Sequence, residues 1–238
     1  MANPYFKFKQ FTVYHDQCAM KVGVDGVLLG GWAEVFPSDK KILDVGTGSG
    51  LIALMMAQRS NAYIDAIDID MGAYNQAKFN FGTSPWQRRL SAYHSALESF
   101  VGDDEVGYDL IISNPPYFVS SLKAPDEFRA TARHADALSH ESFIDNSIRL
   151  LKETGRICLI LPVNEGFQCL KYAENRKLFC NKHVYVHPKP LVPAKRIMLE
   201  LSFSKSETLI SKIEIETNQR HEYSPGFSVM LKDFYLKL

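Results

Sequence analysis

The chain has 238 residues, 46% hydrophobic and 23% charged, with 27 basic side chains against 27 acidic ones. That length suits one large α/β domain, or a domain with a small appendage. Zero net charge argues against blanket nucleic-acid affinity and leaves only a local basic face open. No apolar run approaches the length of a membrane span, and the first seven residues lack the apolar core of a secretory signal, so a cytoplasmic enzyme is expected. Cys18, Cys158, Cys169 and Cys180 show no paired spacing, which points away from a zinc site or a disulfide scaffold.

Residues 1–39 read as a lead-in that packs on a larger domain, 40–238. Phe6, Lys7, Phe8, Lys9 and Phe11 alternate partly in polarity, like a strand or an extended arm. Lys9 among aromatics is a candidate phosphate contact, although a half-buried strand with solvated lysines has the same pattern. Val27, Leu28 and Leu29 start a short helix that Asp25 is expected to cap, with a ligand-facing Asp25 as the alternative.

Ile42–Val45 reads as a strand, Gly46, Gly48 and Gly50 as a tight loop, and Leu51–Gln58 as a helix capped by Ser49. A glycine loop between strand and helix lets a ligand approach the backbone closely. Leu51 stands where a dinucleotide fingerprint wants its third glycine, and no Gly-Lys-Ser/Thr follows, so neither NAD nor an NTPase phosphate loop is indicated. The next strand, from Tyr63, ends in Asp68, Ile69 and Asp70. Asp68 lies about 20 residues past the loop, where an acid meets ribose hydroxyls, and Asp70 is placed to cap a helix over Met71–Phe81. Leu90–Tyr93 is a shorter strand, followed by His94-Ser95-Ala96.

Tyr108–Ser113 is a fourth, buried strand, and it delivers Asn114-Pro115-Pro116-Tyr117. The prolines cannot donate to a sheet ladder and forbid a helix start at Asn114, so the strand stops with the Asn114 amide free. Two acceptors, the Asn114 side chain and the Pro115 carbonyl, beside the Tyr117 ring suit a flat group carrying an exocyclic NH2. A plain strand-ending turn is the alternative. Residues 118–137 read as a long loop over the site. Its Lys123, Arg129 and Arg133 are candidate phosphate contacts, with ordinary surface charge an equal reading for each.

His140–Lys152 reads as a helix, Gly155–Pro162 as a fifth strand and Glu165–Asn175 as a helix. Strands over Lys182–His187 and Arg196–Ser204 flank a proline-rich basic connection holding Lys189, Lys195 and Arg196, a stiff arm suited to RNA. The tail adds a strand over Lys212–Thr217 and a helix over Tyr223–Leu236, begun at Ser224-Pro225. This alternation implies a doubly wound, mostly parallel sheet whose ligands sit at strand carboxyl ends. The glycine loop, Asp68 and Asn114 then line one crevice, shaped for an adenosine-type cofactor beside a planar amine.

The run Leu43–Gly50 resembles the first motif of class I methyltransferases dependent on S-adenosylmethionine (SAM), and Asn114–Tyr117 resembles the motif of those that methylate planar nitrogen. Phe8–Phe11, His15–Gly23 and Tyr223-Ser224-Pro225 are similar to the bacterial valine-tRNA adenine N6-methyltransferases, which modify the adenine just 3′ of the anticodon. The resemblance implies a Rossmann-like α/β fold of seven strands with helices on both faces, SAM as cofactor, the tRNA anticodon stem-loop as partner, no metal and a monomer. It implies that Asp44, Gly46 and Gly48 approach the methionine part of SAM, and that Thr47, Gly50 and Ile69 also contact the cofactor. Asp68 would take the ribose, Asn114 the target amine, and Tyr117 would stack on the base. Many relatives place an acid at the end of the third strand. Here Ser95 and Ala96 stand there, so a backbone amide is the candidate contact to the cofactor adenine. A protein-glutamine N5-methyltransferase, a DNA adenine or rRNA guanine methyltransferase and a catalytically silent SAM-binding RNA module are the rivals.

Overall fold

The computed structural model describes residues 3–18, 20–102, 107–115, 139–219 and 222–238. A short antiparallel hairpin, β1 (Tyr5–Lys7) and β2 (Thr12–Tyr14), precedes α1 (Val24–Trp32). Strands and helices then alternate: β3 (Lys41–Val45), α2 (Leu51–Arg59), β4 (Tyr63–Asp68) and α3 (Met71–Gly82). Two strands follow, β5 (Leu90–His94) and β6 (Tyr108–Ser113). Beyond them lie α4 (His140–Leu150), β7 (Leu151–Pro162), α5 (Val163–Asn175), β8 (Phe179–His187), β9 (Arg196–Ser202), β10 (Leu209–Glu214) and α6 (Pro225–Leu231).

The main sheet has the order β10-β8-β9-β7-β6-β3-β4-β5. All neighbours are parallel except β9, which runs antiparallel to β7 and β8. The sheet therefore has eight strands rather than the seven implied by family resemblance. The addition is β10, which pairs with the outer edge of β8 from Leu209–Lys182 to Glu214–His187 and satisfies backbone groups that would otherwise form a bare edge. From β3 the chain moves outward to β4 and β5, then returns to place β6 on the other side of β3. The reversal opens a crevice at the carboxyl ends of β3 and β6.

The central strands are apolar on both sides because both faces are covered. Ile42, Leu43 and Val45 of β3, Leu110–Ile112 of β6 and Ile157–Leu161 of β7 are all buried. On one face, α1, α2 and α6 pack with hairpin residues Phe8, Phe11 and Val13 in one core. On the other, Phe143 and Ile144 of α4 and Cys169 of α5 join Ile111, Leu159 and Leu199. Cys158 is a buried core thiol, and all four cysteines are free.

Local chemistry sets several boundaries. Asp70 Oδ1 caps α3 by accepting from Ala73 N at 2.7 Å, as its position suggested. Ser224 Oγ caps α6 by accepting from Phe227 N at 3.1 Å, with Pro225 in the first turn. The same hydroxyl donates to the Glu214 carbonyl, tying the helix start to β10. Ser224→Ala is expected to cost about 1 kcal/mol, read as a lower denaturation midpoint at unchanged slope. Other boundaries differ from expectation. Gly50, at φ +80°, stands at the α2 N-cap in place of Ser49, and no side chain caps that helix. The fifth strand begins at Leu151 instead of Gly155, so α4 stops two residues early, and α6 ends at Leu231 instead of Leu236. Among the described residues, no helix is long and apolar enough to cross a membrane.

Candidate active site

The crevice is built on the turn after β3. Gly46 and Gly48 sit at φ +68° and +56°, backbone that other residues rarely adopt. A Cβ on either would meet nothing within 4 Å, so the outer side of the loop is an open cradle that side chains would fill. Beneath it, Asp44 is fully buried. Its Oδ2 accepts from Thr47 Oγ1 at 2.7 Å and from Ala53 N at 3.1 Å, which pins the loop to α2. Its Oδ1 is buried with no hydrogen-bond partner. Burial pushes the carboxyl up to about 7, and the neighbouring Asp68 adds to the rise.

Asp68, at the end of β4, faces the same loop. Its Oδ2 accepts from Gly48 N at 2.8 Å and its Oδ1 from Asp70 N at 2.9 Å. Burial raises its pKa, and these two amides pull the other way. Each oxygen keeps a lone pair for a further donor. Ile69 is half exposed beside it. His94 Nε2 donates to the Ile69 carbonyl at 2.9 Å, and Ser95 N donates to the Asp68 carbonyl at 3.0 Å, so β4 and β5 end in register. The Ser95 hydroxyl donates to the Ala96 carbonyl at 3.0 Å.

A cavity of about 250 Å³ joins the glycine loop to Asn114 and Pro115 and is also lined by Lys21, Val22 and Asp25. Asn114 is half-buried and Pro115 buried at the end of β6. Ser113 Oγ donates to the Val45 carbonyl at 2.7 Å and locks the ends of β6 and β3 together. A Cβ on Gly26 would lie 3.9 Å from Asn114 Nδ2, so the first turn of α1 comes close to that amide. A larger open groove, about 1040 Å³, runs along the edge strand β5 and reaches Ser95 but neither the glycine loop nor Asn114.

Asp25 does not cap α1. The helix starts at Val24 with Gly23 as N-cap and no side-chain cap bond, so Asp25 already lies inside the first turn. Its Oδ2 instead accepts from Arg196 Nε at 2.8 Å, an ion pair at the cavity rim. The basic candidates are dispersed. Lys9 Nζ donates to the Lys232 carbonyl, Lys189 pairs with Glu216 at 3.0 Å, and Lys195 is exposed. Tyr117, Lys123, Arg129 and Arg133 lie outside the described residues. Among the described residues, no three His, Cys, Asp or Glu side chains are grouped to hold a metal ion.

Sequence reasoning missed the clasp between lead-in and cradle. Asn80, 1% exposed, accepts from Tyr14 N at 3.0 Å and donates to the carbonyls of Tyr14 and Ser49, each at 2.8 Å. Gln76 Oε1 accepts from Gln17 N at 2.9 Å. The available signal was two amides one helical turn apart, flanking Ala77 on the buried side of α3.

An open parallel sheet with a glycine cradle at its switch point, an acid at the end of the next strand and Asn-Pro on the adjoining one defines a class I SAM-dependent methyltransferase. The family model of the methyltransferase small domain matches residues 32–171. A predicted O-methyltransferase from Agrobacterium tumefaciens shares the fold, with a TM-score of 0.68 at 15% identity over 88% of this chain and 96% of its own. The chain is 48% identical over 241 residues to the tRNA1(Val) (adenine(37)-N6)-methyltransferase of Parabacteroides distasonis and 47% identical to that of Christiangramia forsetii, with 100% of each chain covered. It belongs to the tRNA1(Val) (adenine(37)-N6)-methyltransferase family.

The cofactor of this class is SAM, and the residues fit it. The buried, unpartnered Asp44 Oδ1 accommodates a cationic donor, and the bare cradle over Gly46 and Gly48 accommodates close approach to backbone.

Proposed function

We propose that this chain transfers a methyl group from SAM to the exocyclic N6 of adenine 37, beside the anticodon of valine tRNA. The observation that carries the reading is one cavity, lined by the Gly46–Gly48 cradle at one end and by Asn114 and Pro115 at the other. Full-length identity to tRNA enzymes favours this substrate over a protein glutamine, whose planar amide the same acceptors would also suit.

SAM supplies an activated methyl on a sulfonium centre. The chain's task is the nucleophile, because the lone pair of an adenine amine is conjugated into the ring. Asn114 Oδ1 and the Pro115 carbonyl accept the two amine hydrogens, favour a pyramidal nitrogen and stabilise the positive charge that develops on it. No strong base is required before transfer, since the excess proton leaves to water afterwards. Tyr117 stacks on the extruded base, which in an anticodon loop costs less to unstack than in a duplex. Asp68 takes the ribose hydroxyls, Ser95 and Ala96 offer backbone to the cofactor adenine, and Asp25 closes the rim. Lys123, Arg129 and Arg133, with the arm carrying Lys195, meet phosphates. The enzyme works as a monomer beside its tRNA in the cytoplasm.

The test uses a valine anticodon stem-loop and labelled SAM. Label is expected in the adenine-37 substrate and not in one carrying inosine there, which has an oxygen in place of the amine. Equal labelling of the two would overturn the proposal.

A further inference from the structure

The proline-rich connection between β8 and β9 carries a feature that the reaction described so far does not use. Leu191 is the most exposed large apolar side chain among the described residues, at 101% relative exposure. It is also one of two described residues other than glycine with positive φ, at +63°. Both facts follow from its place in a turn. Val192 N donates to the Lys189 carbonyl at 3.3 Å, which closes Lys189-Pro190-Leu191-Val192. Proline second and positive φ third are the marks of a type II turn, whose third position ordinarily takes glycine. Here that position holds a large apolar side chain in strained backbone, pointed at solvent with nothing to pack on.

The turn is held rigid. Pro188, Pro190 and Pro193 restrict the backbone. His187 Nδ1 donates to the Val192 carbonyl at 2.7 Å across the base of the loop, and Lys195 N donates to the Val186 carbonyl at 2.9 Å. The loop also stands at the site. Its last residue, Arg196, pairs opposite Pro162 at the carboxyl end of β7, the strand beside β6, which leads into Asn114. Arg196 is ion-paired to Asp25, which lines the cavity that Asn114 enters. A stiff arm rooted in the cavity rim thus displays one apolar side chain.

We infer that Leu191 is a wedge that enters the substrate RNA next to the target adenine and holds that base out of its stack. Apolar side chains inserted between bases offset the loss of stacking when a base leaves. Lys189, two residues away, is paired with Glu216 at 3.0 Å, which leaves the phosphate contact to the exposed Lys195 at the base of the arm and the tip to the apolar side chain. The inference rests on the tRNA reading above, and the experiment separates the two.

Leu191→Gly removes the wedge and puts at the turn the residue its backbone prefers, so folding is not at risk. The full chain, wild type and variant, would be compared in melting temperature, SAM affinity, kcat/KM on the valine anticodon stem-loop, and fluorescence of a stem-loop carrying 2-aminopurine at position 37. The variant is expected to melt at or above the wild-type temperature and to bind SAM equally. Its kcat/KM should fall about tenfold or more, with loss of the fluorescence rise that reports unstacking. Leu191→Phe, which restores an apolar plane, should recover most of both. Wild-type kcat/KM and fluorescence in Leu191→Gly would overturn the wedge while leaving the tRNA reading intact. A drop in melting temperature or SAM affinity would also overturn it, by assigning Leu191 a structural role. A wild-type enzyme that leaves the stem-loop unmethylated would overturn the tRNA reading and the wedge with it.

Discussion

Asn114→Ala is expected to leave SAM affinity nearly unchanged and to lower turnover on tRNA by roughly two orders of magnitude or more, the scale of losing a preorganised charge-stabilising group. The side chain sits at the end of β6, and its backbone is set by the Ser113–Val45 bond, not by the amide itself. Removing the amide therefore leaves the cradle standing. The loss should fall on kcat more than on KM, since the amine hydrogens bind more tightly as nitrogen gains charge. Single-turnover methyl transfer at saturating SAM measures it. Near-normal turnover would remove Asn114 from the chemistry. Asn114→Asp is the informative companion, because it keeps an acceptor of the same size and should retain more activity than alanine.

Asp44→Asn is expected to have the second large effect, with opposite signs on stability and binding. Burial lifts the Asp44 carboxyl from 3.8 to about 7 in the folded protein. A raised acid costs the fold nothing below the unfolded value. The cost grows as pH rises through that interval and is complete above about 7. Asparagine mimics the neutral form, so the variant without cofactor should be more stable than wild type at pH 8, by between about 1 and 4 kcal/mol. The gap should close as pH falls towards 4. SAM carries positive charge and favours the ionised carboxylate, so wild-type SAM affinity should fall with pH below about 7, by at most about tenfold per pH unit. In Asp44→Asn the affinity should be weaker by about tenfold or more and nearly flat with pH. Denaturation and calorimetric titration across pH 5–8 check both signs. A variant less stable than wild type at pH 8 would contradict the role given to burial.

The parts of the fold that were legible in the sequence rest on local chemistry. The glycine run after an apolar strand, Asp70 three residues before the amide it caps and Ser224-Pro225 at a helix start all act over a few residues. What escaped is non-local. Asp25 has the composition of a cap, but its partner Arg196 lies 171 positions away, and α1 starts earlier than its apolar run suggests. The Asn80 clasp spans 66 positions to Tyr14 and 31 to Ser49, and in the sequence alone Asn80 is an ordinary polar residue of a helix. The addition of β10 to the sheet depends on a free edge that exists only once β8 and β9 have paired. At the 187–196 connection, prolines and basic charge were visible beforehand. That Leu191 occupies the glycine position of a turn became visible only in its φ angle.

Methyl transfer from labelled SAM to total tRNA from cells lacking this enzyme, with nucleoside mapping of the product, tests the assigned reaction and its address together. N6-methyladenosine at position 37 of valine tRNA, and no other labelled nucleoside, is the expected product. Label at another atom or in another RNA, or label in protein with none in RNA, would contradict it.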